Sequence, residues 1–210
     1  PRPPGRKVRD DMRIKKASFV TSIVKNSDFP GRGLDQIAVA GKSNVGKSSL
    51  INCLCNNQKL ARTSSEPGKT RVINIFLINE AFHLIDLPGY GYAKVSKAMQ
   101  EDWGTMMNDF LCGSPHLKHI FHLVDIRHEP GQHDRQMAEW IKAAGLPYTV
   151  VATKADKLSK AQRQRSVQLI CRTLAVQPWE VIPFSSLNGE GRERLIQRIQ
   201  EALGLEEETP

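Results

Sequence analysis

Apolar positions in this chain gather into short dense runs separated by amphipathic stretches. Runs at 34–40, 72–78, 81–87, 119–126, 148–153 and 180–184 have the length and composition of buried strands. The stretches 47–56, 97–111, 132–144, 159–174 and 191–203 space their apolar residues three and four apart, which predicts helices. Strands alternating with helices imply an α/β domain, a mainly parallel sheet covered on both faces. Asn79 and Glu80 leave only a tight connection between the second and third strands, so that pair must be antiparallel. The polar stretch 57–71 reads as one long loop. In such sheets ligands bind at the carboxyl ends of the strands.

Composition narrows the class. With 210 residues, 40% hydrophobic and 25% charged, the chain fits one globular domain and excludes a disordered or collagen-like chain. No apolar run approaches the roughly 18 residues of a membrane span, and the N-terminal region lacks the apolar core of a secretory signal. A cytoplasmic protein with no membrane partner is expected. The four cysteines form no spaced pair of pairs and read as free thiols. His119 and His122, three apart on a strand, point to opposite sides, and no zinc site is predicted. The net charge of +8 suits a polyanionic partner, although a solvated basic surface gives the same number. Residues 1–16 hold seven of the basic groups with three prolines and read as a flexible basic arm. The stretch 204–210 reads as an acidic tail, leaving 17–203 as the folded domain.

Candidate chemistry falls at strand ends. Gly41-Lys42-Ser43-Asn44-Val45-Gly46-Lys47-Ser48 is a complete phosphate loop between a strand and a helix. Its glycines let backbone N–H groups wrap phosphate oxygens, and the helix N-terminus adds positive field. Lys47 is placed for the β- and γ-phosphates and Ser48 for Mg²⁺. Asp86-Leu87-Pro88-Gly89 closes another strand. Alone it is a strand and a turn; after a phosphate loop, Asp86 suits the metal shell and Gly89 offers a backbone N–H to the γ-phosphate. Thr153-Lys154-Ala155-Asp156 follows a third strand. The Asp156 carboxylate matches the N1–H and N2–H₂ donor pair of guanine, which adenine lacks, and the Lys154 stem can lie along the base. Without the phosphate loop, Asp156 would read as a helix cap. Phe184-Ser185-Ser186 ends the last strand within reach of the guanine O6.

Taken in order, these motifs resemble the translation-factor-like class of small P-loop GTPases, and within it the EngB family, also called YihA or YsxC. The resemblance rests on GKSNVGKSS from Gly41, ARTSSEPGKT from Ala61, DLPGYGYA from Asp86, DIRH from Asp125, TKADKLS from Thr153 and FSS from Phe184. It implies a Ras-like P-loop GTPase fold, a mainly parallel six-stranded sheet with one antiparallel strand and helices on both faces. It implies GTP/GDP as ligand, slow hydrolysis, and a monomer acting in large ribosomal subunit assembly through rRNA and ribosomal proteins, with a role in cell division and septation. Carried over residue by residue, Gly41 to Ser48 hold phosphates, Ser48 and Thr70 ligate Mg²⁺, and Gly68, Lys69, Thr70, Arg71 and Val72 form the first switch. Asp86, Leu87, Pro88 and Gly89 contact the γ-phosphate and metal shell. Thr153, Lys154, Ala155, Asp156, Phe184, Ser185 and Ser186 hold the base. Lys47, Thr70, Gly89 and Asn44 are the candidates for the catalytic step, with Asn44 at the position that helps hold an activating K⁺. Thr153 stands where the wider class has Asn, but as in the EngB family, and predicts modest affinity. Tyr90 stands where many GTPases carry a water-orienting Gln. It predicts slow turnover, and with Tyr92 it reads either as a base-stacking group for RNA or as a buried ring. The alternatives are a GTP-ordered RNA- or ribosome-binding module with negligible hydrolysis, and an ATP-dependent enzyme, against which Asp156 argues.

Overall fold

The six-residue run Gln36–Gly41 is buried at every position, as a strand covered on both faces must be. It is the middle strand of the computed structural model, which describes residues 12–30, 33–61, 72–91 and 97–205. In chain order the elements are β1 (Ala17–Ile23), β2 (Gln36–Gly41), α1 (Lys47–Leu54), β3 (Ile73–Ile78), β4 (Phe82–Asp86), α2 (Lys97–Gly113), β5 (Leu117–Asp125), α3 (Gln132–Ala143), β6 (Tyr148–Thr153), α4 (Lys160–Leu174), β7 (Val181–Pro183) and α5 (Arg192–Ala202). They build one sheet in the order β1-β3-β4-β2-β5-β6-β7. β3 runs antiparallel to both its neighbours, and the remaining pairings are parallel.

The period of two along β2 and β5 divides the core. Ile37, Val39, Phe121 and Leu123 pack with Leu50, Ile51 and Leu54 of α1 and with Leu195 and Ile199 of α5. Ala38, Ala40 and Ile120 face the other way, onto Met107 and Phe110 of α2 and Met137 and Ile141 of α3. α4 covers the β6–β7 end through Ile170 and Leu174, against Val150 and Ala152. His119 and His122 are divided in the same way. His119 lies against Phe121 and Thr149, while His122 reaches Tyr90 on the opposite face.

The expected sheet had six strands, and the structure has seven. β1 escaped because its register slips between Phe19 and Thr21, leaving Val20 as an extra residue. The slip breaks the apolar alternation, and Phe19 and Val20 stay exposed on the sheet edge. The expected tight connection is present. Asn79 and Glu80 both have positive φ, of 50° and 58°, the geometry of a two-residue hairpin turn. Asn79 also accepts the N–H groups of Lys15 and Lys16 through its Oδ1 and donates to the Arg13 carbonyl. The end of the basic segment is thereby held on this turn. Met12 and Ile14 of the same segment pack against the core, while residues 1–11 lie outside the described residues, as do Gly68, Lys69, Thr70, Arg71 and Tyr92.

Candidate functional site

Gly41 ends β2 where a side chain has no room. A Cβ there would lie 2.8 Å from Val45 Cγ1 and 3.0 Å from Leu123 Cβ. The loop then takes two left-handed residues, Asn44 (φ 62°) and Gly46 (φ 113°), and Gly46 caps the start of α1. This turn brings Lys47 across to the loop after β4. A Cβ on Gly89 would lie 3.1 Å from Lys47 Nζ and 3.0 Å from Ser43 Oγ. Ser43 donates its N–H at 2.9 Å and its hydroxyl at 3.1 Å to the Tyr90 carbonyl, and Lys42 forms a parallel bridge with Tyr90.

Asp86 closes β4 with its carboxyl buried. Burial pushes its pKa up, opposed by the Lys47 ammonium and the Asn74 amide, and its Oδ1 has no hydrogen-bond partner. A buried carboxylate oxygen left unmatched in front of a cationic loop suits a hard cation bound through water. Ser48 opens the first turn of α1, so the residues present fit Mg²⁺.

The base motif is tied to the phosphate loop at two successive carbonyls. Thr153, buried, reaches the Val45 carbonyl with its hydroxyl at 2.7 Å and the Val124 carbonyl at 3.1 Å. Lys154, itself left-handed at φ 62°, donates from Nζ to the Asn44 carbonyl at 3.1 Å and to Asp125 Oδ2 at 2.9 Å. Sequence reasoning expected Thr153 to weaken the site for want of an amide. The structure gives its hydroxyl a tie to the loop instead. Arg127 grips Asp125 with two bonds of 2.9 and 2.7 Å. Burial works against the charged Asp125 carboxylate, but Arg127 and Lys154 hold its pKa far below the usual range.

Asp156 follows in the short 3-10 turn Ala155–Lys157. Its Oδ1 accepts from the Ser185 hydroxyl at 2.7 Å and its Oδ2 pairs with Lys157 Nζ at 3.3 Å. The Ser185 bond, aided by Lys157, lowers the carboxyl pKa and keeps Asp156 an acceptor. Ser185 is fully buried and held by its own loop, where its N–H donates to the Glu190 carbonyl. Ala155 donates its N–H to the Phe184 carbonyl, which locks the base motif to the end of β7. The structure therefore gathers Gly41–Ser48, 86–89, 153–156 and 184–186 at the carboxyl edge of the sheet. Sequence reasoning missed Ser185 as the group that orients Asp156, and missed the Asp125–Arg127 brace, although DIRH had been singled out.

A family model described as "50S ribosome-binding GTPase" matches residues 36–154, more than half of the chain. A probable GTP-binding protein EngB of Alkaliphilus metalliredigens is 48% identical over 200 residues, spanning 95% of this chain and 96% of that one. The chain belongs to the EngB family of GTP-binding proteins. The EngB protein of Bacillus subtilis is 45% identical over 183 residues, covering 87% of this chain and 94% of its own. A crystal structure of a probable GTP-binding protein engB superposes with a TM-score of 0.67 at 26% identity, covering 81% of this chain and all of that one. A crystal structure of Era in complex with MgGDPNP and nucleotides 1506–1542 of 16S ribosomal RNA gives a TM-score of 0.60 at 25% identity over 84% of this chain and 58% of its own. The Ras-like GTPase fold is thereby established.

EngB membership leaves Tyr90 to the structure. It is 2% exposed, so it cannot stack on an RNA base, and its phenol points into the protein rather than toward an attacking water.

Proposed function

We propose that this chain is a guanine-nucleotide switch with slow GTP hydrolysis, acting in the cytoplasm as a monomer in assembly of the large ribosomal subunit and needed for normal cell division and septation. The nucleotide part rests above all on Asp156. Its carboxylate is held ionised by Ser185 at the same sheet edge as the Lys47–Gly89 pair. In this reading Gly41–Ser48 wrap the phosphates with backbone N–H groups. Lys47 neutralises charge that develops as the γ-phosphate bond breaks. Gly89 offers its N–H to the γ-phosphate, and 68–72 serves as the first switch. Thr153–Asp156 and 184–186 enclose guanine, with Asp156 accepting from its two donors. Ser48 and Thr70 would hold Mg²⁺ with Asp86 supporting the site, and the ion would supply neutralisation of phosphate charge. Asn44 is the group for an activating K⁺.

Slow turnover follows from Tyr90, which replaces a water-orienting amide with a buried ring. The ribosomal part is supported by the description of the matching family and by the +8 charge, to which Lys157, Lys160, Arg165 and Arg172 in and before α4 contribute together with the basic N-terminal segment, while Arg163 is paired with Glu190. The buried Tyr90 also favours a second reading, in which GTP orders the chain for ribosome binding with negligible hydrolysis. Sedimentation with purified large subunits and precursors, with GDP or a non-hydrolysable GTP analogue at several salt concentrations, tests the partner. GTP-dependent binding that weakens steeply with salt is expected, and binding indifferent to both refutes the switch. Single-turnover hydrolysis with and without particles separates the two readings.

A further inference from the structure

A chain of three polar side chains is buried beneath the loop that follows β4. Tyr90 donates its hydroxyl to Asp134 Oδ1 at 2.7 Å, and His122 Nε2 lies 2.9 Å from the Tyr90 phenol oxygen. The direction of the chain is fixed. A carboxylate only accepts, so the phenol donates to Asp134 and must accept from an N–H on His122 Nε2. His122 Nδ1 has no partner, which agrees with that tautomer. The second carboxylate oxygen, Asp134 Oδ2, accepts the Gly131 N–H at 2.8 Å and so fixes the start of α3. All three residues are at least nine-tenths buried, and the Tyr90 ring packs among Ile85, Leu87, Met107 and Phe110.

The backbone of Tyr90 is held from the other side. Its carbonyl takes both donors of Ser43, and its N–H points to the Gly41 carbonyl at 3.4 Å. The peptide joining Gly89 to Tyr90 is thus clamped between the phosphate loop and the core. The chain next turns at Gly91 (φ 77°), where a Cβ would already lie 3.1 Å from the Lys42 side chain.

We propose that Tyr90, Asp134 and His122 form an anchor that presets the Gly89 N–H for the γ-phosphate. Tyr90 and Asp134 are then positioning residues, felt only by a nucleotide that carries a γ-phosphate. The anchor also joins the γ-phosphate sensor to the exposed turn before α3, built by Arg127, His128 and Glu129.

The inference rests on assigning Gly89 to the γ-phosphate, and the test separates the two ideas. Affinities for GDP and for a non-hydrolysable GTP analogue are measured for the parent, Tyr90→Phe, Asp134→Ala, the double variant and Gly89→Ala. Thermal unfolding of each reports folding independently. Tyr90→Phe keeps the ring and removes one hydroxyl. It is expected to weaken the analogue by about tenfold, the scale of one lost hydrogen bond, and to leave GDP within about twofold. The double variant should lose no more preference than either single one, because both break the same contact. If Gly89→Ala loses the preference for the analogue while Tyr90→Phe keeps it, the anchor is refuted and the γ-phosphate assignment stands. If neither variant changes the preference, the assignment and the anchor both fall. Equal losses for GDP and analogue in Tyr90→Phe would mean packing alone and also overturn the proposal, as would additive losses in the double variant.

Discussion

Acidification from pH 7 to pH 5 should destabilise this protein through two histidines in particular. His119 is 8% exposed and His122 is fully buried. Burial lowers both pKa values to about 4; Arg198 adds to the effect at His119 and Glu201 opposes it, while Asp134 opposes it at His122. In the unfolded chain each ring takes up a proton near pH 6.5. Between pH 6.5 and 4 the unfolded state therefore binds more protons than the folded one, and stability falls as pH drops through that window. For a folded value near 4, each ring loses about 2 kcal/mol of stability between pH 7 and pH 5, so the pair loses roughly 4 kcal/mol. That is a large share of the 5–15 kcal/mol typical of a domain. Asp86 works the other way, because its raised folded pKa favours the folded state as acid is added. Asp125, with a depressed folded pKa, adds its loss only below the ordinary carboxylate range. Urea unfolding at pH 7, 6 and 5 measures the slope, with an unchanged m-value as the check that the unfolded ensemble is the same. His119→Gln can keep the bond to Thr149, now 2.9 Å from the imidazole, but cannot titrate. It should remove about half of the drop. If wild type and variant lose the same stability between pH 7 and pH 5, His119 is not a buried neutral ring and the reasoning fails.

Two further outcomes test the nucleotide site itself. Asp156→Asn should weaken GTP by about 1.5–3 kcal/mol, roughly ten- to a hundredfold, and gain xanthosine triphosphate, whose base offers an acceptor where guanine has its amino group; unchanged GTP affinity would misplace the guanine pocket. Hydrolysis should run several-fold faster in KCl than in NaCl at equal ionic strength, with the difference lost in Asn44→Ala; equal rates in the two salts for the parent would remove K⁺ from the mechanism.

What could be seen in the sequence and what could not follows from how far apart the cooperating residues lie. The phosphate loop, the Asp86–Gly89 tetrapeptide and the Thr153–Asp156 motif are each contiguous and sit at strand ends, so pattern and context identified them together. The groups that hold those motifs in place are not contiguous. Ser185 fixes Asp156 across 29 positions, Asp134 fixes Tyr90 across 44, and Thr153 ties the Val45 carbonyl across 108. No local period marks such pairs, and each partner alone is an ordinary residue of its own segment. β1 was hidden for a different reason, since its bulge at Val20 destroys the alternation by which a strand is recognised.

The two residues that depart from the wider GTPase pattern share one physical feature. Thr153 lacks the amide expected at its position, and Tyr90 lacks the amide expected at its own. Each is 2% exposed, and each carries a hydroxyl bonded at 2.7 Å to an acceptor in another segment. A buried hydroxyl is costly unless it is matched, so each bond fixes both of the segments it joins. Thr153 joins the base motif to the phosphate loop. Tyr90 joins the loop after β4 to α3, while its backbone grips the phosphate loop at Ser43. The substitutions that seem to weaken the site when each motif is taken alone are thus the internal ties between its parts. A site tied in this way carries a fixed, buried ring where a water-orienting side chain is expected. On the function proposed above, that exchange suits a switch more than an enzyme selected for turnover.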